Sequence, residues 1–209
     1  MTEADAGAER LAQVATGDPV VAAVRRHVFT ALLDDRSMTA TELADGAALS
    51  PAEVDHALAT LRAAGALETD SDGRVIGAHG LTRRRTRHKI VTSQRTWNTW
   101  CALDAIGIPI ALRLDATVHT ECPTCTSEII LRVRDGEVVT QTDALRLWLP
   151  GGACRHVMDD FCTVANLFCT TEHLEQWRDD AGGPPGQPLR LDETARHGRH
   201  VWADVADCW

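Results

Sequence analysis

Trp97, Trp100, Cys101 and Asp104 recur at helical intervals, so a helix over 94–106 would show two indoles, a thiol and a carboxyl on one face. A carboxyl set among indoles loses hydration. Its pKa rises, and it can hold a proton near neutral pH or accept one from the thiol a turn away. The same spacing suits a small packed cysteine and a solvated or capping aspartate, and free cysteine is usually buried and inert. Trp97 and Trp100 could shape an apolar pocket for a substrate, although indoles on a helix face more commonly serve the core. Further along, Cys122-Pro123-Thr124-Cys125 is a C-x-x-C, and Cys154-Arg155-His156 adds a thiol and an imidazole. Cys122, Cys125, Cys154 and His156 together make a Cys₃His set for a structural zinc, with knuckle spacing in the first pair and tighter spacing than usual in the second. Cys162 and Cys169 flank an apolar stretch in which Cys169 reads as packing. Cys208, in the terminal Cys208-Trp209, reads as a surface bystander. The nine histidines form no H-x-x-x-H pair, and none is assigned a catalytic role.

Seven cysteines are an odd count, and the N-terminus MTEADAGAER is acidic and polar, unlike a secretory leader. A disulfide-stapled scaffold is therefore excluded in favour of free thiols in a reducing cytoplasm. The 209 residues contain no run of 18 apolar residues that would span a membrane. A net charge of −9 makes nonspecific attraction to nucleic acid weak.

The elements that must position these groups follow from caps and periodicity. Residues 1–17 carry no apolar stripe and read as a mobile tail. Asp18-Pro19 starts a helix with Val20, Val21, Val24, Val28, Leu32 and Leu33 at helical spacing. Thr39-Ala40-Thr41-Glu42 and Ser50-Pro51-Ala52-Glu53 are capping boxes, predicting helices near 40–46 and 51–64. Ala66-Leu67-Glu68 and Val75-Ile76-Gly77 flank the turn at Asp70-Ser71-Asp72-Gly73 as a ribbon. The expected fold is α+β: a winged-helix-like helical domain over 18–82, then a core of short strands and helices over 83–209. In that core Pro109 should end or bend the first helix. Strands are expected at 115–120, 127–133, 137–141 and 144–149, and 160–170 suits strand or helix. Helices are expected at 172–180, with Thr171 as cap, and at 191–205.

Trp100-Cys101-Ala102-Leu103-Asp104, with the later Phe161-Cys162 and the apolar stretch to Phe168, resembles the organomercurial lyase (alkylmercury lyase) family. The order of parts agrees over roughly residues 20 to 205, including the stretch GRVIGAHGLT from Gly73 to Thr82 and the later Cys122. The resemblance implies protonolysis of a carbon–mercury bond for mercury detoxification. Cys101 and Cys162 would be the two mercury-binding thiols, and Asp104 the proton-handling group and a further mercury contact. Cys122 would be structural without metal. It implies no organic cofactor, ATP or permanent metal, and a product Hg(II) handed to cellular thiols or a mercuric reductase. The absence of a nucleotide fingerprint fits that expectation. Cys125 and Cys154 depart from the family pattern; they fit the zinc set or a mercury relay. Thr163 stands where some members carry another cysteine.

Two other functions compete. The winged-helix pattern and the basic run Arg83, Arg84, Arg85, Arg87 and Lys89 suit a metal-sensing DNA-binding regulator. Against it, the recognition helix would begin with Glu53 and Asp55, the wrong sign for a phosphate-lined groove. A lyase homologue acting on another organometal would share the thiol–carboxyl site.

Overall fold

The computed structural model describes residues 17–139, 143–152 and 154–206. The tail from 1 to 16, part of the strand expected at 137–141, and Cys208 lie outside the described residues. Helix α1 (Pro19–Leu33) starts where Asp18 accepts from the N–H groups of Val20 and Val21, at 2.8 and 3.3 Å. Helices α2 (Ala40–Ala47) and α3 (Pro51–Ala63) both begin with complete capping boxes. In the first, Thr39 N–H donates to Glu42 at 2.7 Å and Glu42 N–H donates to Thr39 Oγ1 at 3.2 Å. Each box satisfies two amides that a helix start leaves without partners. Val24, Val28, Leu43, Val54 and Leu61 make the shared core of the three helices.

The ribbon β1 (Leu67–Thr69) and β2 (Val75–Ala78) follows and runs on through β3 (Leu81–Thr82) into the body of the protein. Strands β4 (Lys89–Val91), β5 (Thr96–Thr99), β6 (Ala116–Glu121), β7 (Glu128–Arg134) and β8 (Glu137–Val138) complete an antiparallel sheet of order β1-β2-β3-β5-β4-β6-β7-β8. Strands β6 and β7 alternate buried and open residues, as a sheet with one covered face requires. Helix α4 (Ala102–Ala111) supplies the cover; all its residues but the last are buried. Three further strands, β9 (Arg146–Pro150), β10 (Leu167–Phe168) and β11 (Gly186–Leu189), form a second antiparallel sheet of order β10-β9-β11. The C-terminal part adds α5 (Thr171–Asp180), α6 (Leu191–Val201) and α7 (Ala203–Ala206). Helices α4 and α6 cross backbone to backbone: a Cβ on Gly198 would lie 2.5 Å from Cα of Gly107.

The α+β class holds, with several local differences. The helix expected over 94–106 is split: residues 96–99 are strand β5, and the helix begins only after Cys101. Strand β5 is enclosed on both sides, with Trp97 opposite Ile90 on β4 and Thr99 opposite Leu81 on β3. Ladder pairing thus overrides the helical spacing. Pro109 does not end α4, which continues to Ala111. Residues 160–170 are neither a single strand nor a single helix, since a π-helical turn, Val157–Cys162, leads to β10. Helix α5 is capped by Thr170, not Thr171. The last helix stops at Val201 and resumes as the short α7. Among the described residues no helix is long and apolar enough to cross a membrane.

Candidate active site

Cys101 sits at the junction where β5 gives way to α4, with extended backbone as the N-cap of the helix. Asp104, three residues on, folds back and accepts from the Cys101 N–H at 2.8 Å. That contact is the carboxylate half of a capping box, so the local rule that starts the helix also fixes the carboxyl beside the thiol. Cys162 arrives from the last residue of the π-helical turn. Its segment is held against α4 because Ala102 N–H donates to the Ala165 carbonyl at 3.1 Å. The Sγ atoms of Cys101 and Cys162 and a carboxylate oxygen of Asp104 all lie within 4.8 Å of one another. Cys101 is fully enclosed, while Asp104 and Cys162 each keep 7% of their surface open.

Burial governs the charge state. It pushes the Asp104 carboxyl up to about 6, against hydrogen bonds from the Cys101 thiol and N–H that favour the carboxylate. Burial raises the Cys101 thiol well above its usual range, helped by its hydrogen bond to Cys162 and by the Asp104 charge. For Cys162, the hydrogen bond from Cys101 favours thiolate, but burial and the carboxylates of Asp104, Glu68 and Asp159 outweigh it and the pKa rises. The resting site is therefore two neutral thiols beside a carboxyl that can exchange a proton near neutral pH.

Asp104 and Cys162 open on a narrow cavity of about 40 Å³, also lined by Arg25, His79, Trp100, Phe161 and Trp202. That is room for roughly three waters or a small organic group. Trp100 is fixed by its indole N–H, which donates to Glu68 at 2.7 Å. Trp97 does not line the cavity; its indole donates to the Leu33 carbonyl at 3.0 Å and ties β5 to the end of α1. Of the two indoles expected at the pocket, only that of Trp100 is on its wall: Trp97 belongs to β5 and Trp100 lies just past the strand's end, so the helical spacing that would put both on one face is absent.

Sequence reasoning missed Arg25, His79 and Trp202. Arg25 is buried in α1 and pairs with Asp204, while its guanidinium also reaches the His79 ring at 3.1 Å. Burial and the Arg25 charge hold His79 neutral, its pKa well below the usual histidine range. Trp202 donates to the His79 carbonyl at 2.9 Å. The available signal was an arginine placed on the apolar stripe of α1, two helical turns from Leu32.

The second group of thiols also differs from expectation. Cys122 and Cys125 meet Cys169 and His173, with all four ligand atoms within 4.8 Å of one another. Cys154 and His156 are not in this cluster. His156 instead packs its ring on Gly65, and the next N–H, of Val157, donates to the Ala64 carbonyl at 2.9 Å. That anchor to the end of α3 holds the segment away from the β6–β7 turn.

The family model described as alkylmercury lyase matches residues 81–203 of the chain. No curated protein matches. Among solved structures, one described as the mercury-bound form of MerB2 superposes with a TM-score of 0.87 at 21% identity, covering 98% of this chain and 100% of that one.

Proposed function

The chain belongs to the alkylmercury lyase family, and from that premise we propose that it breaks the carbon–mercury bond of alkyl- or arylmercury compounds by protonolysis, releasing a hydrocarbon and Hg(II). The observation that carries this reading is the buried triad. Two thiols and a carboxyl converge within 4.8 Å, beside a cavity walled by Trp100 and Phe161.

Mercury(II) is a soft cation that is bound by thiolate. One of the two thiols captures the organomercurial as an S–Hg bond, and its proton leaves with the thiolate that delivered the substrate. Asp104, as carboxylate, takes the proton of the second thiol. A carboxyl raised to about 6 by burial accepts that proton and also gives it up again. As the second S–Hg bond forms, electron density moves onto the carbon. The electron pair of the breaking Hg–C bond takes the Asp104 proton and becomes a C–H bond. Asp104 returns to carboxylate, and mercury is left between Cys101 and Cys162 with Asp104 as a further contact. The near-complete enclosure of the three groups keeps bulk water from competing for the proton.

These steps call on no organic cofactor. We assign the reaction to mercury detoxification in a reducing cytoplasm, with small thiols or a mercuric reductase removing Hg(II). The test is release of methane or benzene from methyl- or phenylmercury by purified protein under excess thiol. Hydrocarbon from the wild-type chain and none above background from Cys101→Ser, Cys162→Ser or Asp104→Ala is the expected result. Folded, reduced protein that releases no hydrocarbon would remove the assignment, and a variant with full activity would remove the role of that residue.

A further inference from the structure

We propose that Cys122, Cys125, Cys169 and His173 hold a zinc ion that fastens the β6–β7 hairpin to the start of α5. The four residues come from two short motifs, C-x₂-C and C-x₃-H, on segments far apart in the chain. Three thiols and one imidazole are a donor set that zinc takes in closed, four-coordinate structural sites.

Two of the six ligand–ligand distances match a tetrahedron, and all six are within 4.8 Å. With Zn–S near 2.3 Å and Zn–N near 2.05 Å, ligand atoms on one tetrahedral ion lie about 3.8 Å apart for S···S and about 3.6 Å for S···N. Cys125 Sγ and Cys169 Sγ are 3.8 Å apart, and Cys122 Sγ is 3.8 Å from His173 Nδ1. A disulfide would need sulfurs near 2.05 Å, about half that separation. The quartet therefore has the span of a metal site without a cross-link.

The surrounding backbone is built to hold that shape. Residues 122–127 form a tight turn in which Thr126 N–H donates to the Cys122 carbonyl at 2.8 Å, and Cys122 N–H to the Ser127 carbonyl at 3.0 Å. Thr124 Oγ1 donates to the His173 carbonyl at 2.7 Å, tying the turn directly to α5. Thr170, the cap of α5, accepts from the His173 N–H at 3.2 Å and sets the imidazole in the first turn. Cys122 is fully buried and the other three are half-buried; four protein ligands would fill a tetrahedral shell and leave no open position of the kind catalysis needs. Zinc here would join the large sheet, through β6, to the small one, through β10.

Elemental analysis of the full chain, purified without added zinc, is expected to find about one zinc per chain. Cys169→Ser and His173→Ala should lower zinc affinity roughly tenfold or more, whereas Cys154→Ser and Cys101→Ser should retain the metal. Chelation should lower the unfolding temperature of the wild-type chain, a readout that does not depend on the variants folding. Cobalt(II) in place of zinc should give the intense visible bands of a tetrahedral thiolate site. A wild-type chain that holds no zinc and whose unfolding temperature ignores both zinc and chelator would overturn the proposal. So would zinc that survives in Cys169→Ser and His173→Ala but is lost in Cys101→Ser.

Discussion

Gly80 lies directly against the carboxyl of Asp104: a Cβ at position 80 would stand 2.5 Å from Oδ1. Gly80 also has φ +92°, a backbone conformation that side chains disfavour, and its carbonyl accepts from the Trp100 N–H at 2.9 Å. The glycine thus fixes the strand that bears the site while leaving the carboxyl its space. Gly80→Ala is expected to displace the Asp104 side chain and cut single-turnover hydrocarbon release by at least about tenfold, with strain costing roughly 1–3 kcal/mol of stability. Rapid-quench gas chromatography, with circular dichroism to confirm folding, measures both effects; an unchanged rate would mean that the carboxyl does not need that space.

The raised pKa of Asp104 makes a prediction for stability against pH. Its folded value of about 6 lies above the 3.8 of an ordinary aspartate, so the folded state binds the proton more tightly than the unfolded chain. The contribution is fully present below about pH 4 and is lost as the pH rises through about 6, at a cost near 3 kcal/mol on the plateau above. Asp104→Asn, which carries no charge, should therefore gain on the wild type between those pH values. Urea unfolding of both proteins at pH 4 and pH 8 gives the comparison, and a difference independent of pH would contradict the burial argument.

The close crossing of α4 and α6 predicts a steric defect. Gly198→Ala would place a methyl 2.5 Å from Cα of Gly107, and both backbones are held by their own helices. Overpacking of this kind costs about 1–3 kcal/mol. A fall in unfolding temperature of roughly 3–10 °C should follow, read by differential scanning calorimetry.

Arg25 predicts a different kind of loss. Arg25 is 2% exposed, and its guanidinium is paired with Asp204 at the cavity wall. Asp204→Asn leaves a buried positive charge poorly compensated, and should cost about 3 kcal/mol of unfolding free energy, read from urea unfolding. Arg25→Met with Asp204→Asn removes both charges and is expected to recover part of that loss, since a buried pair is worth less than the penalty for breaking it.

The legible parts of the sequence were the ones with local causes. Asp18, Thr39 and Ser50 start their helices through contacts with residues two or three positions away, and each was readable from its own short segment. Cys101 and Asp104 belong to this class, since their contact is a helix start. Extending that helix back to Trp97 failed because the ladders to β3 and β4 that make residues 96–99 a strand come from elsewhere in the chain. The partners of Cys122 and Cys125 were missed for a related reason. Cys169 and His173 are spaced C-x₃-H, but Cys169 follows an apolar stretch and reads as core, whereas Cys154 and His156 offered a nearer thiol and imidazole. Arg25 and His79 become site neighbours only in the tertiary fold, where α1 and the turn before β3 reach the cavity that Asp104 lines.

The large sheet crosses from the helical N-terminal part into the body of the protein without an interruption, because β3 pairs with β2 on one side and β5 on the other. A fragment cut to the family segment, 81–203, would keep both cysteines and the aspartate of the triad. It would lose Arg25, Leu61, Ala66, His79 and Gly80 from the cavity wall, and β3 would be left as a bare margin open to pairing with a neighbour. The segment matched by the family model thus lacks part of the wall around the triad, and a shortened protein meant to keep that cavity whole has to begin no later than α1.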